Sequence, residues 1–361
     1  MLLRRATVLA VTSVLAATGG ALLTQTVTAP SSVASKPPAN GASLRADVGQ
    51  LVILGFGGIS APAYLRELLR RRSAAGVILF RGNVRSRRQL RSLTSALQRS
   101  ARGQAIVSVD QEGGPVRRVP WLGPAPQPMQ RTPARARAEA RSAARGLRAA
   151  GINLNLAPVA DVAVGRSAMR SRAFGGGSAA VAPRTAAAVR GYAAGRIGST
   201  PKHFPGFGRA RANTDFRAVT IGASRRRLEQ DLRPFRAAIA AGAPAVMVAH
   251  ALYPAYDGSR IASQSPVLLR LLRDRLGFRG AIVTDSLDAV AVRSRSSVEA
   301  AAVRSVSAGA DLLLVTGPDS YKRVHRRLLA AGWRSPGFRA RVASAARRVR
   351  VLKRRLGLRG R

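Results

Sequence analysis

Short apolar runs recur along this chain between segments of mixed polar and apolar character. The runs are rich in Val, Ile and Leu and do not alternate with polar residues, which is typical of parallel strands buried on both faces. Eight of them are present, at residues 51–55, 76–80, 105–109, 152–158, 197–200, 245–249, 281–284 and 311–316. The pattern therefore predicts a parallel sheet of eight strands.

The segments between these runs carry apolar residues at helical spacing. One of them places Leu228, Leu232, Phe235 and Ile239 on one face. Ser224 is positioned to cap this helix, and Gly242 is positioned to end it. A strand followed by a helix, repeated eight times, predicts the α/β class and a single (β/α)8 TIM-type barrel.

Two further helices are predicted after the last strand, at 321–331 and 338–356. The second gathers its apolar residues on one side, as expected of a helix that packs on the barrel. These residues are Val342, Ala345, Ala346, Val349 and Leu352. The predicted catalytic barrel, with this extra C-terminal helix, covers residues 46–361.

The N-terminal segment resembles an export signal. Arg4 and Arg5 precede a long apolar run within residues 1–29, which predicts a signal peptide or an N-terminal membrane anchor. Residues 30–45 are rich in Ser, Pro and Ala and predict a flexible linker. The protein is expected to be exported, either secreted or anchored at the outer face of the cell membrane. The chain has no cysteine, which excludes disulfides and thiolate metal sites.

The charge balance is strongly basic, with a formal net charge of +45. Such a surface is expected to attract anionic polymers non-specifically at low salt. Basic patches interleaved with aromatic residues are lacking, so no specific nucleic-acid ligand is predicted. His203, His250 and His325 fall on different elements without metal-ligand spacing, and the sequence implies no metal or other cofactor.

Polar residues follow several of the predicted strands, where barrel enzymes keep their catalytic groups. Asp285 follows the seventh strand and is a candidate nucleophile for attack on a sugar, although a carboxylate there could also cap a turn. Asp110 follows the third strand, and Lys202 and His203 follow the fifth. Because the carboxyl ends of parallel strands meet at one rim, these side chains are expected to share a pocket. Arg172 is a further candidate for ligand contact.

Six motifs in series resemble those of glycoside hydrolase family 3, and in particular its single-domain β-N-acetylhexosaminidases. The motifs are DQEGG at 110–114, GINLN at 151–155, RAFG at 172–175, KHFPG at 202–206, AHALYP at 249–254 and TDSL at 284–287. The resemblance implies a retaining hydrolase that removes terminal β-linked N-acetylglucosamine, often from peptidoglycan fragments. It places the nucleophile at Asp285. The sugar-binding positions that it implies are Asp110, Arg118, Arg172, Lys202 and His203.

The sequence departs from the family pattern just after the KHFPG motif. These enzymes usually continue with His-Gly and then Asp-x-His, whose His is the acid/base. Here Phe207 stands at the first His, and Asn213-Thr214-Asp215 aligns with the second motif. Asp215 becomes the candidate proton donor if burial raises its pKa, whereas Arg209, Arg211 and Arg217 nearby are expected to lower it.

Two other functions remain open at this point. A catalytically silent family member would keep the sugar-binding residues to bind wall glycans. A β-glucosidase or a phosphorolytic enzyme would keep the fold and change the sugar or the acceptor.

Overall fold

The computed structural model describes residues 41–358, so the predicted signal or anchor and most of the predicted linker lie outside the described residues. It contains twelve strands within this range. They are β1 Val52–Leu54, β2 Gly76–Leu79, β3 Ile106–Val109, β4 Gln111–Gly113, β5 Val116–Arg117, β6 Leu154–Asn155, β7 Gly198–Ser199, β8 Ala245–Val248, β9 Leu252–Tyr253, β10 Asp257–Ile261, β11 Ala281–Ser286 and β12 Leu312–Val315. Each of the eight predicted apolar runs overlaps one strand, and only β11 extends beyond its run.

Eight of these strands form one parallel sheet in the order β7-β6-β3-β2-β1-β12-β11-β8. Its two ends meet through the segment that follows β7, because Phe204 pairs with Val248 in parallel. The Phe204 N–H donates to the Met247 carbonyl at 2.8 Å, and the Met247 N–H donates to the Pro201 carbonyl at 3.0 Å. The sheet is therefore a nearly closed barrel, which confirms the predicted (β/α)8 fold.

Helices surround the barrel between successive strands. Their bounds are α1 Gly41–Gln50, α2 Ala63–Arg70, α3 Arg87–Ser100, α4 Pro133–Ala149, α5 Ser178–Ala194, α6 Arg225–Asp231, α7 Arg233–Ala240, α8 Pro266–Arg270, α9 Val290–Arg293, α10 Val298–Ala308, α11 Ser320–Arg334 and α12 Pro336–Arg355, with a π-helical turn at Leu271–Arg275. Within residues 41–358, no helix is long and apolar enough to cross a membrane.

Two details differ from the sequence-based expectations. Helix α1 begins at Gly41, so the last five residues of the predicted linker, 41–45, are helical. The predicted helix after Ser224 is two consecutive helices, α6 and α7, and Ser224 lies at the N-cap position without a side-chain cap hydrogen bond. Gly242 follows α7 with φ +85°, a left-handed conformation that glycine adopts without strain.

Alternate residues of the strands fill the barrel interior, and α12 closes one end of it. The interior cluster contains Ile53, Ile78, Ile106, Leu154, Met247, Val283 and Leu314. Leu352 and Leu356, at the C-terminal end of α12, belong to the same cluster. A Cβ added at Gly198 would lie 2.4 Å from Leu356 Cδ2, so Leu356 packs directly against β7. The opposite end of the barrel, where the strands end, is left for the polar residues.

Candidate active site

One cavity at the carboxyl ends of the strands collects every site residue that the sequence predicted. Its volume is about 270 Å³. The lining residues are Asp110, Glu112, Val116, Arg118, Arg172, Lys202, His203, Phe207, Asn213, Thr214, Asp215, Phe216, Ala249 and Asp285. They come from β4, β5, β11 and the loops after β3, β6, β7 and β8. The rim of the barrel therefore assembles a single charged pocket.

Lys202 and His203 lie in the segment that joins the two ends of the sheet. Lys202 pairs with Val159 as an isolated parallel bridge, just before Phe204 pairs with Val248. The Lys202–His203 and Phe204–Pro205 peptide bonds are both cis. Main-chain pairing with the adjacent segments on both sides holds this stretch in place. The Lys202 and His203 side chains are buried at the cavity.

A network of ion pairs forms one wall of the cavity. Lys202 Nζ lies 2.6 Å from Asp110 Oδ1 and 2.6 Å from Glu112 Oε1. The Arg172 guanidinium donates to both Glu112 carboxylate oxygens, at 2.8 and 2.7 Å. Burial alone would raise the pKa of Glu112, but Lys202 and Arg172 outweigh it and lower this pKa to about 2. Both basic side chains are thus fixed in position before a ligand binds.

Glu112 was missing from the predicted substrate-binding set. The sequence shows it in the same motif as Asp110, but an acidic residue beside Arg117 and Arg118 also fits a local ion pair. The structure instead places its partner 60 residues away, at Arg172. Its side chain is 1% exposed, so it acts as the buried anchor of the two cations.

A tight hairpin brings Arg118 into the cavity. Strands β4 and β5 pair antiparallel across Gly113 and Gly114, whose φ values of +88° and +59° favour glycine. The Gln111 side-chain carbonyl accepts the N–H groups of Arg118 and Val119, both at 2.9 Å. Arg118 Nε is buried and has no hydrogen-bond partner among the described residues, which is unusual for a buried donor.

Asp161 holds His203 from beneath the cavity. Its Oδ2 lies 2.7 Å from His203 Nδ1, and its Oδ1 accepts the N–H groups of His203 at 3.1 Å and Phe207 at 2.6 Å. Because a carboxylate only accepts, His203 Nδ1 carries the proton and Nε2 is the remaining ring nitrogen. The Phe207 ring contacts the His203 ring edge to face, with centroids 5.8 Å apart. Asp161 is therefore a positioning residue for His203.

Asp285 lies near the end of β11 with its carboxylate in the cavity. The Ser286 N–H donates to Asp285 Oδ1 at 2.8 Å. Burial alone would raise the pKa of Asp285, but the nearby His203, His250 and Lys202 side chains outweigh it and lower this pKa. Asp285 is therefore ionised, as a nucleophile must be.

His250 supports the end of β11 and was not among the predicted site residues. Its Nε2 donates to the Ser286 carbonyl at 2.9 Å, so its Nδ1 accepts from the Ser263 hydroxyl at 2.7 Å. Burial lowers the pKa of His250 below its usual value. The motif at 249–254 contained this residue, but its contacts are long-range and were invisible in the sequence.

Asp215 lies on the exposed loop between β7 and α6 and lines the same cavity as Asp285. Asn213 Oδ1 accepts the Asp215 N–H, and Asn213 Nδ2 donates to Asp215 Oδ2, both at 3.0 Å. The loop is tied to α9 because the Val290 N–H donates to the Asp215 carbonyl at 3.3 Å and the Ala291 N–H donates to the Thr214 carbonyl at 3.1 Å.

Partial burial in the site, and then the charge of Asp285, raise the pKa of Asp215 above its ordinary value. The sequence-based expectation that the neighbouring arginines would lower it is wrong. Arg209 points instead to Asp231, whose Oδ2 lies 2.7 Å from Arg209 Nε. The groups that do favour the ionised form are Asn213, His203 and Arg172, and they do not outweigh burial and Asp285.

The two carboxyl groups therefore differ in the way that acid–base catalysis requires. Asp285 is held ionised by the cations around it, whereas Asp215 is biased toward the protonated form. Two titratable groups whose environments push their pKa values apart are the usual mark of a nucleophile and an acid. Asp110, Lys202 and Arg172 line the same cavity, and charged groups of these kinds form strong hydrogen bonds.

Comparison with known proteins identifies the family that carries this arrangement. The family model for the glycosyl hydrolase family 3 N terminal domain matches residues 43–352. The chain belongs to glycosyl hydrolase family 3. Because this match covers the whole barrel, the family that the motifs suggested is confirmed.

Individual relatives agree with this family assignment. A protein named beta-hexosaminidase from Xanthomonas campestris pv. campestris (strain B100) is 35% identical over 286 residues, which is 74% of this chain and 85% of the relative. The crystal structure of a beta-N-acetylhexosaminidase from Beutenbergia cavernae has a TM-score of 0.79 at 30% identity, and covers 86% of this chain and 98% of that one.

A glycoside hydrolase family 3 beta-N-acetylglucosaminidase from Paenibacillus sp. has a TM-score of 0.82 at 34% identity and covers 87% of this chain. The family 3 chain described here spans 63% of that longer protein. The similarity thus concerns the barrel.

Proposed function

We propose that this glycoside hydrolase removes terminal β-linked N-acetylglucosamine by a retaining mechanism in which Asp285 is the nucleophile and Asp215 is the acid/base. The observation that carries the proposal is the shared cavity, in which an ionised Asp285 and the more readily protonated Asp215 lie beside a fixed set of cations. The relatives named as hexosaminidases support the choice of sugar.

The charged wall of the cavity binds the nonreducing sugar. Asp110 and Lys202 are positioned for its hydroxyl groups, since their ion pair offers both an acceptor and a donor at one place. His203 and Arg118 line the same cavity, where a hydroxyl or an acetamido oxygen of the sugar would contact them. Fixing the ring in this way places the anomeric carbon at Asp285 and supplies much of the rate enhancement by orientation.

In the first step, a carboxylate oxygen of Asp285 forms a bond to the anomeric carbon while the bond from that carbon to the leaving oxygen breaks. The electron pair of the broken bond goes to the leaving oxygen, which takes the proton from Asp215. In the second step, Asp215 accepts a proton from water as the water oxygen attacks the anomeric carbon. Asp285 then leaves as carboxylate, and the sugar is released with its β configuration retained.

The cellular setting that we propose is turnover of peptidoglycan outside the cytoplasm. The apolar N-terminal segment that follows Arg4 and Arg5 supports export, and it lies outside the described residues. A net charge of +45 favours association with anionic wall polymers. Fractionation of cells that express the full-length chain tests this setting, because recovery of the protein in the cytoplasm alone would contradict it.

The activity itself is tested with 4-nitrophenyl N-acetyl-β-glucosaminide and the matching β-glucoside. We expect release of nitrophenol from the first substrate, little from the second, and loss of turnover in Asp285→Ala. Asp274→Ala, which changes an exposed aspartate in the π-helical turn, is the matched control. Proton NMR of the first-formed product should show the β-anomer.

The alternatives give different outcomes in the same assay. Glycan binding without turnover of the activated substrate would indicate a silent binding protein. Acceleration by inorganic phosphate, with a sugar phosphate as product, would indicate phosphorolysis. Faster hydrolysis of the β-glucoside would indicate a β-glucosidase.

A further inference from the structure

A second and larger cavity opens at the same end of the barrel, outside the charged pocket. Its volume is about 690 Å³. The lining comes from the ends of β1, β2 and β12, from α2 and from the start of α11. The side chains that shape it are Phe56, Tyr64, Leu68, Phe80, Pro318 and Tyr321. None of these residues belongs to the predicted sugar-binding set.

The two cavities are neighbours, and residues that line them contact one another. The Arg118 guanidinium, which lines the charged pocket, lies 5.8 Å from the centroid of the Phe80 ring, which lines the larger cavity. On the opposite side, the Thr316 hydroxyl is hydrogen-bonded at 2.7 Å to the hydroxyl of Ser286, the residue after Asp285. The larger cavity thus borders a residue of the charged pocket on one side and the residue after the proposed nucleophile on the other.

The charged pocket is too small for both halves of a disaccharide. At about 270 Å³, it is smaller than the roughly 300–1,000 Å³ typical of sites for drug-sized ligands. A substrate whose terminal sugar occupies this pocket must extend its leaving group beyond the wall. The larger cavity is the space next to Asp285 along the rim, on the β12 side.

The lining of the larger cavity suits a ring with apolar faces. Four aromatic side chains contribute to it, and Tyr64 is 50% exposed, so its ring is free for contact. Aromatic rings offer a large, stiff contact area at a low cost in conformational entropy. Asp319 and Lys322 form an exposed ion pair at the edge, with 3.2 Å between Lys322 Nζ and Asp319 Oδ1, where hydroxyls could reach them.

The loop after β1 is held open in advance of any ligand. The buried Asn83 side chain donates to the carbonyls of Phe56 and Gly58, at 3.0 and 2.7 Å. A Cβ added at Gly57 or Gly58 would meet nothing within 4 Å, so this side of the cavity has free space. The cavity is therefore a preformed site with an open edge, as ligand sites usually are.

We propose that this cavity binds the leaving-group portion of the substrate and selects leaving groups that carry a ring with an apolar face, such as a second pyranose or an aromatic group. The inference rests on the proposed function, because it assigns the terminal sugar to the charged pocket. It makes Tyr64 and Phe56 residues that determine specificity for the leaving group.

The test compares substrates that share the terminal sugar and differ in the leaving group. N-acetyl-β-glucosaminyl azide has a small leaving group, the 4-methylumbelliferyl glycoside has an aromatic one, and N,N′-diacetylchitobiose has a second sugar. We expect Tyr64→Ala and Phe56→Ala to lower the ratio of kcat/KM for each ring-bearing substrate to that for the azide by about 5–30-fold. Tyr64→Phe should restore most of this ratio, because it keeps the ring.

Trp333→Ala is the matched control, since Trp333 is as exposed as Tyr64 and does not line either cavity. Thermal unfolding of each variant checks that it folds. If Tyr64→Ala and Phe56→Ala lower turnover of all three substrates equally, the cavity contacts the transferred sugar and the inference is wrong. Unchanged ratios would also overturn it. Failure of the proposed function looks different, because the wild-type protein would then hydrolyse none of the three.

Discussion

His203 is fixed by Asp161, whose Oδ2 lies 2.7 Å from its Nδ1. The same carboxylate accepts two main-chain N–H groups, from His203 and Phe207, and it is fully buried. Hydrogen bonds to a charged group are worth about 1.5–3 kcal/mol each. Asp161 therefore sets both the tautomer and the orientation of the imidazole that faces the sugar.

Replacing Asp161 by Asn should weaken the hydrogen bonds that orient the His203 ring. We expect kcat/KM for the 4-nitrophenyl substrate to fall by about 10–100-fold, because the amide group cannot accept from Nδ1 and from both N–H groups. Steady-state kinetics measures this loss, and ¹⁵N NMR of the histidine ring reports the tautomer. An intact tautomer signal together with full activity would contradict the positioning role.

The pH dependence should follow the two carboxyl groups. The pKa of Asp285 lies below the ordinary 3.8, so kcat/KM should rise with pH as Asp285 ionises. The pKa of Asp215 lies above 3.8, so activity should fall as pH rises through it and the proton donor is lost. The optimum is expected between the two pKa values. In Asp215→Asn, the alkaline limb should disappear, and its persistence would assign that limb to another group.

Loss of Asp215 should affect substrates according to how much their leaving group needs a proton. General acid catalysis contributes about 10²–10⁴-fold, so Asp215→Ala should lower hydrolysis of N,N′-diacetylchitobiose by that order and of the 4-nitrophenyl substrate by much less. Added sodium azide should then speed turnover of the aryl substrate and give the β-glycosyl azide, since a small anion can attack the covalent intermediate without a base. Chitobiose hydrolysis at the wild-type rate would show that Asp215 is not the acid.

Lys353 gives a separate prediction about stability. Burial, with smaller contributions from Arg350 and Arg72, lowers its pKa from 10.5 to about 7, and its Nζ donates to Gln50 Oε1 at 2.8 Å. Between these two pH values the unfolded chain binds more protons than the folded chain, so the free energy of unfolding should rise with pH from about 7 to 10.5.

Lys353→Met should remove this contribution to the pH dependence. At pH 6 we expect it to stabilise the fold by about 2–4 kcal/mol, because each pKa unit is worth about 1.4 kcal/mol and Gln50 loses a partner. Urea unfolding at pH 6 and pH 9 measures the difference, and Lys322→Met, at an exposed position, is the control. A variant that is equally stabilising at both pH values would indicate packing rather than titration.

The barrel was predictable from the sequence because its strands are unbroken apolar runs and its helices keep one apolar side. Seven of the eight barrel strands fall within the predicted runs and β11 extends two residues beyond its run, while the apolar side of α12 is the one that packs on the barrel. The two hairpins, β4–β5 and β9–β10, were not predicted. Their strands are only two to five residues long and mostly polar. The sequence therefore shows neither an alternating pattern nor an apolar run at these positions.

The sequence predicted which residues form the candidate site, but not which of their side chains contact one another. Asp110, Lys202 and Asp285 each follow an apolar strand, and a barrel brings such positions together. The pairing of Glu112 with Arg172 and of Arg209 with Asp231 depends on side-chain directions across long separations. That is why the effect of the arginines on Asp215 was misjudged.

The attachment of the Asp215 loop to α9 has a consequence for how this protein tolerates change. The two ties are made by main-chain groups of residues 214–215 and 290–291, and α9 directly follows the strand that carries Asp285. These ties link the position of the loop that carries Asp215 to the segment that follows Asp285. Since neither tie uses a side chain, substitutions at these four positions keep both ties unless proline enters at 290 or 291 and removes a donor.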